Sequence, residues 1–132
     1  MQAEILELAT YRMEKAKECL ADAQDAFEES RLANSINRSY YAMFHSIRAL
    51  LAIDSFDSKK HASIIGYFNQ YYIANSKIDT RYYQMIANAF RVRNKTDYDD
   101  FHIVSKDEAQ KQLENAQSFI EFMTRYIDKV VL

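Results

Sequence analysis

The chain contains no proline and a single glycine, Gly66, in 132 residues. A β-rich fold of this length needs many tight turns, which draw on glycine for positive φ and on proline for a preset φ. Helices joined by Asn, Asp and Ser escape that demand. The expectation is an all-α protein, and the spacing of apolar residues agrees. Ile5, Ala9, Met13, Ala16, Leu20, Ala23 and Phe27 recur at steps of four and three, which places them on one stripe of a long first helix. Leu32, Ile36, Tyr40, Met43, Ile47 and Leu50 form the stripe of a second helix. Ala42, Phe44 and Leu51 add apolar area on its other sides, so it is expected at the centre.

The segment DSFDSKK reads as a linker, with Ser58 as N-cap of a third helix through HASIIGYFNQYYI. Gly66 inside that pattern costs about 1 kcal/mol relative to Ala, so close helix packing is the expected reason for it. A fourth helix runs through RYYQMIANAFRVRNK with Tyr82, Met85, Ile86 and Ala89 inward. Ser105 and Glu108 have the spacing of a capping box, and Ala109, Leu113, Ala116, Ile120, Met123, Ile127 and Val130 line the final helix. The expected architecture is one domain over residues 1–132, an up-and-down antiparallel bundle of four to five helices.

Apolar residues make up 48% and charged residues 27%, an ordinary globular balance. No apolar run approaches the roughly 20 residues of a membrane span, and MQAEILELATYR carries acids where a signal peptide carries bases. A cytoplasmic protein without membrane association is expected. The lone Cys19 reads as a small core residue. His45, His61 and His102 lie in separate segments with no HExxH or CxxC spacing, and one glycine excludes a phosphate-cradling glycine loop. Neither a metal nor a cofactor is expected.

Net charge is only −2, yet residues 1–30 carry −5, residues 31–96 carry +7 and residues 97–132 carry −4. A basic middle between acidic ends offers an anion-attracting surface. Basic faces docking on acidic ones inside the bundle explain the same pattern. Two clusters fall in this middle. The stretch Arg91-Val-Arg93-Asn94-Lys95-Thr-Asp97-Tyr98-Asp99-Asp100 gathers cations, an amide, a phenol and carboxylates at the end of a helix whose earlier turns are apolar. On a helix Arg91, Asn94 and Tyr98 share a stripe, and Arg93 can pair with Asp97 at i, i+4. Guanidinium groups suit phosphate, which makes Arg91, Arg93, Asn94 and Lys95 candidate phosphate contacts. The competing reading is a solvated last turn whose cations suit the helix dipole. The second cluster runs from Asn37 to His45, where Arg38 and His45 lie seven apart on one face.

Together these clusters resemble the HEPN family, in its small stand-alone prokaryotic form. The resemblance rests on a long first helix, the stretch Ser39-Tyr-Tyr-Ala-Met-Phe-His45, and a fourth helix ending in Arg93-Asn94-x-x-Asp97-Tyr98. It implies a helical bundle that dimerises, bringing two fourth-helix motifs into a shared cleft. It also implies a toxin paired with a small nucleotidyltransferase antitoxin. Many members cut RNA without metal through Arg-x(4–6)-His, and some are adenylylated on a tyrosine near the motif. Here Arg93 takes the motif arginine and Asn94 the polar residue after it, but Tyr98 stands five beyond the arginine where histidine is expected. A phenol near pKa 10 is a poor base at neutral pH, whereas an imidazole near 6.5 exchanges protons readily.

Three readings follow. One is a dimeric HEPN-like module binding a nucleotide, RNA or a nucleotidyltransferase partner through Arg91, Arg93, Asn94, Lys95 and Arg38, with Tyr98 as donor or modification site. The second is a metal-independent ribonuclease with a degenerate Arg-x4-Tyr motif, using Arg93 and Tyr98 with His45 or His102 moving protons. The third is a non-catalytic interaction domain with tyrosine-rich faces.

Overall fold

The computed structural model describes residues 2–131, which form helices α1 (Ala3–Glu28), α2 (Leu32–Ile53), α3 (His61–Phe68), α4 (Thr80–Tyr98) and α5 (Lys106–Val131). The end of α3 widens into a π-helical stretch over Asn69–Ile73. No strand occurs among the described residues. The all-α expectation holds, with α3 as a short piece between four long helices.

Long-range side-chain contacts give the directions of the helices. Ser35 Oγ donates to the Ala23 carbonyl and Arg12 to that of Arg48, so α1 and α2 are antiparallel. Tyr41 meets Arg93 and Asn37 meets Asp97, which sets α4 antiparallel to α2. Gln24 meets Gln117 and Met13 meets Thr124, which does the same for α1 and α5. The long helices therefore run up, down, up, down. Thirteen of the 22 residues of α2 are buried, spread around its circumference, because α1, α3, α4 and α5 all pack on it. Its burial is what makes it the platform of the site described below.

Glycine's usual work at helix ends is done by serine. After α1, Ser30 adopts φ 61° while Arg31 N–H donates to Ala26 and Ser30 N–H to Phe27. After α2, Ser55 repeats the geometry at φ 57°, with Phe56 N–H on Leu51 and Ser55 N–H on Ala52. Both are Schellman closures, and both place an L-residue in the left-handed region that glycine normally fills.

Three local expectations need correction. Ser58 does not cap α3: the N-cap is Lys60, with no side-chain cap, and Ser58 Oγ instead accepts from Lys60 N–H in the link. Gly66 does not mark close packing, since it is exposed and a Cβ there would meet nothing within 4 Å. Only half of the capping box forms. Glu108 N–H donates to Ser105 Oγ at 3.0 Å, while the Glu108 carboxylate turns to His102. In α4, Tyr82, Ile86 and Ala89 are buried as expected and Met85 is partly buried against the core.

Arg12, buried in α1, reaches across to Asp57 Oδ2 at 3.1 Å, and Arg48 joins the same carboxylate at 2.9 Å. This pair of guanidiniums ties the α2–α3 link to the bundle. At the opposite end, Ile36, Val92 and Ala109 form a small apolar cluster that seats the end of α4 on the start of α2. No helix among the described residues is long and apolar enough to cross a membrane.

Candidate functional site

Once Val92 is seated beside Ile36, the next residue of α4, Arg93, is carried over the tyrosines of α2. Its side chain is only 14% exposed. The guanidinium lies 5.6 Å from the Tyr40 ring, 5.3 Å from Tyr41 and 5.7 Å from Tyr98. Nη2 donates to the Tyr41 hydroxyl at 3.1 Å and Nη1 to Asn94 Oδ1 at 3.1 Å. Nε is 2.9 Å from Asp97 Oδ2, an ion pair not aligned as a hydrogen bond. The i, i+4 pairing read from spacing is therefore present. Each terminal nitrogen keeps a second N–H with no partner among the described residues.

The α2 side is tied into the same cluster. Asn37 Nδ2 donates to Asp97 Oδ2 at 3.1 Å, and its Oδ1 accepts from Arg38 Nε and Nη2 at 3.0 and 2.6 Å. Arg38 also faces the Tyr41 ring at 5.1 Å, so that ring is flanked by two guanidiniums. Cations gain from an aromatic face when partly desolvated, which holds both arginines in place without neutralising them. Asn37 and Arg38 also line a polar cleft of about 420 Å³ between α1 and α2. Its wall also carries Asp22, Asp25 and Glu29 against Arg31, and the three acids outnumber the two arginines, which disfavours an anion there.

His45 and His61 flank the same Tyr41 and Phe44 rings, whereas His102 does not reach them. His45 lies with its ring 5.9 Å from Tyr41, and its buried Nδ1 has no hydrogen-bond partner. Burial, then the charges of Arg48, Lys15 and Arg38, hold its pKa down at about 4, so the ring is neutral at pH 7. His102 turns away to α5, with Nε2 3.5 Å from Glu108. His61 had no signal in the sequence, yet the first residue of α3 stands beside this cluster. Its Nδ1 is 2.7 Å from the Tyr40 hydroxyl and its ring stacks on Phe44 at 4.1 Å. Burial and the nearby Arg93 and Arg48 lower its pKa.

Among the other residues singled out from sequence, Arg91 is exposed and bonds Asn88 on its own helix, outside the cluster. Lys95 is exposed. Tyr98 is 74% exposed, with the Arg93 guanidinium over its ring. Cys19 is buried, 4.0 Å from Arg38 Nη1. No group of three His, Cys, Asp or Glu among the described residues could hold a metal ion. Asn37 and Tyr41 fall in the second cluster read from sequence, but their contacts with Asp97 and Arg93, and the place of His61 beside them, come only from packing. A tyrosine at position 41 reads as core by periodicity.

The sequence has relatives in other organisms. A protein of Methanocaldococcus jannaschii named "Putative toxin MJ0605" is 29% identical over 119 residues, covering 90% of this chain and 88% of the relative. A second protein of that organism, "Putative toxin MJ0142", is 26% identical over 132 residues, covering 96% and 90%. A UPF0332 protein of Archaeoglobus fulgidus is 30% identical over 122 residues, covering 89% and 94%. The HEPN domain profile matches residues 9–126, a span that includes the tyrosines of α2, His61 of α3 and the Arg93 motif of α4. By fold, motif and this match, the chain belongs to the HEPN family.

Proposed function

We propose that the chain is the toxin-type component of a toxin–antitoxin pair, a HEPN module that binds the phosphate of a nucleotide or RNA on Arg93 and Asn94. The observation that carries this reading is the state of Arg93. Its guanidinium is oriented by Tyr41, Asn94 and Asp97, yet it retains one unpartnered N–H on each terminal nitrogen. An arginine held in this way can meet two phosphate oxygens with little further loss of freedom. Arg38, which forms no ion pair among the described residues, adds a second positive charge across the Tyr41 ring. Only Asp97 opposes them within the cluster.

In this reading residues 1–132 act as one domain, in the cytoplasm, as a homodimer. Support for a protein contact comes from the α4–α5 link, where Phe101 is 93% and Ile103 is 89% exposed beside the exposed Tyr98. A small nucleotidyltransferase is the antitoxin that the family resemblance supplies, with Tyr98 as its modification target. The relatives named as toxins support the toxin side of the pair.

The test is thermal melting with adenosine 5′-monophosphate or a short single-stranded oligoribonucleotide. Either ligand should raise the melting temperature by mass action, and Arg93→Ala should remove the shift. A wild-type protein indifferent to both ligands refutes the phosphate site. A second reading, metal-independent RNA cleavage, draws support from the position of His45, whose ring lies 5.9 Å from that of Tyr41, the hydroxyl partner of Arg93. Purified protein should then cut RNA in the presence of a chelator, and both Arg93→Ala and His45→Gln should stop it.

A further inference from the structure

His61 stands against the same two rings that hold Arg93, reaching them from a different helix. Its imidazole is 5.8 Å from Tyr40 at an interplanar angle of 21° and 5.7 Å from Tyr41 at 88°. The Arg93 guanidinium is 5.6 and 5.3 Å from those rings. Phe44 stacks under the imidazole at 4.1 Å, so the ring plane is fixed. Nδ1 is engaged by the Tyr40 hydroxyl at 2.7 Å, and Nε2 has no partner among the described residues.

The tautomer follows from burial. Tyr40 is fully buried, and its hydroxyl has no other acceptor among the described residues. A buried O–H left unsatisfied is costly, so Tyr40 donates to Nδ1 and the imidazole proton sits on Nε2. Burial also holds the Tyr40 phenol well above its ordinary pKa, so it stays a donor. The charged groups facing His61 are Arg93 of α4 and Arg48 of α2, with the phenols of Tyr40 and Tyr41 beside them. They favour the neutral ring. A neutral N–H donor can stand near a guanidinium without repelling it, which a second cation could not.

We propose that His61 is a phosphate-contacting residue of the Arg93 site, its Nε2–H donating to a non-bridging phosphate oxygen of the bound nucleotide or RNA. Tyr40 acts from the core side as the positioning residue that fixes the tautomer. The inference rests on the reading of Arg93 as a phosphate contact and extends it to α3, outside the α4 motif. The ligand is then met by donors from two helices packed on the same α2 platform.

Imidazole NMR on the full chain, with adenosine 5′-monophosphate as probe, tests this. In the free protein at neutral pH, His61 should be protonated on Nε2, and Tyr40→Phe should turn it into a mixture of the two tautomers. Saturating probe should raise the His61 pKa, because an adjacent anion favours the protonated ring. His61→Ala should weaken probe binding about tenfold, as expected for one hydrogen bond to a charged group. His61→Gln, whose amide nitrogen reaches close to the Nε2 position, should restore most of that loss. Binding that depends on Arg93 but leaves the His61 signals and the His61→Ala affinity unchanged overturns this proposal alone. Wild-type protein that binds no probe overturns it together with the phosphate reading. An unchanged tautomer in Tyr40→Phe overturns the positioning role.

Discussion

Acidification should weaken the fold through His45. In the unfolded chain its imidazole titrates at the ordinary 6.5, whereas in the folded protein burial and the charges of Arg48, Lys15 and Arg38 hold it at about 4. Above pH 6.5 both states are neutral and the stabilising difference is fully present. Between 6.5 and about 4 the unfolded chain takes up a proton that the folded chain refuses, so stability falls as pH falls. From pH 7.5 to pH 5 these two values give about 2 kcal/mol. The ring retains some contact with water, which reduces the expected loss to about 1 kcal/mol. Urea denaturation of the wild type and of His45→Gln across that range measures the difference directly. The two proteins share every other titratable group, so the difference between them isolates His45. The wild type should lose about 1 kcal/mol more than the variant on going to pH 5. Equal slopes for the two proteins would falsify the account of a neutral, partly buried His45.

Two backbone substitutions should act in opposite chemical directions yet both stabilise. Gly66→Ala fills open space on an exposed helical position and should add about 1 kcal/mol in thermal or urea denaturation. Ser55→Gly relieves an L-residue at φ 57° and should add up to about 1 kcal/mol, although glycine normally costs stability; a loss would contradict the Schellman assignment. Asp57→Ala strips the carboxylate from the buried Arg12 and from Arg48, leaving Arg12 only the Arg48 carbonyl. It should cost about 2 kcal/mol in urea denaturation, between the values for exposed and buried pairs, because Asp57 itself is about half exposed.

Much of the fold was legible because local chemistry and tertiary packing agree. The stripe from Leu32 to Leu50, with apolar residues on its other sides, marked α2 as the central helix, and it is packed on by every other helix. Where the reading failed, a local signal did not foretell the tertiary surroundings. Gly66 invited an explanation by close contact, but the position faces open space. Ser58 had the chemistry of an N-cap, but Asp57 beside it is drawn to Arg12 and Arg48, and the helix begins three residues later at His61.

The sequence by itself determined that these residues form helices, because apolar spacing and the lack of Gly and Pro act locally along the chain. It also placed Arg93 and Asp97 one turn apart, close enough to pair on any helix. Only the tertiary structure decided what surrounds them. Tyr41 is 52 residues from Arg93, and His61 shares with Arg93 the rings of Tyr40 and Tyr41 across three helices. Such contacts depend on how α2, α3 and α4 are rotated against one another, which is set by the packing of their buried faces. Spacing along the chain carries no record of that rotation, so the histidine nearest the motif in sequence, His102, turns to Glu108 while a distant one stands at the site.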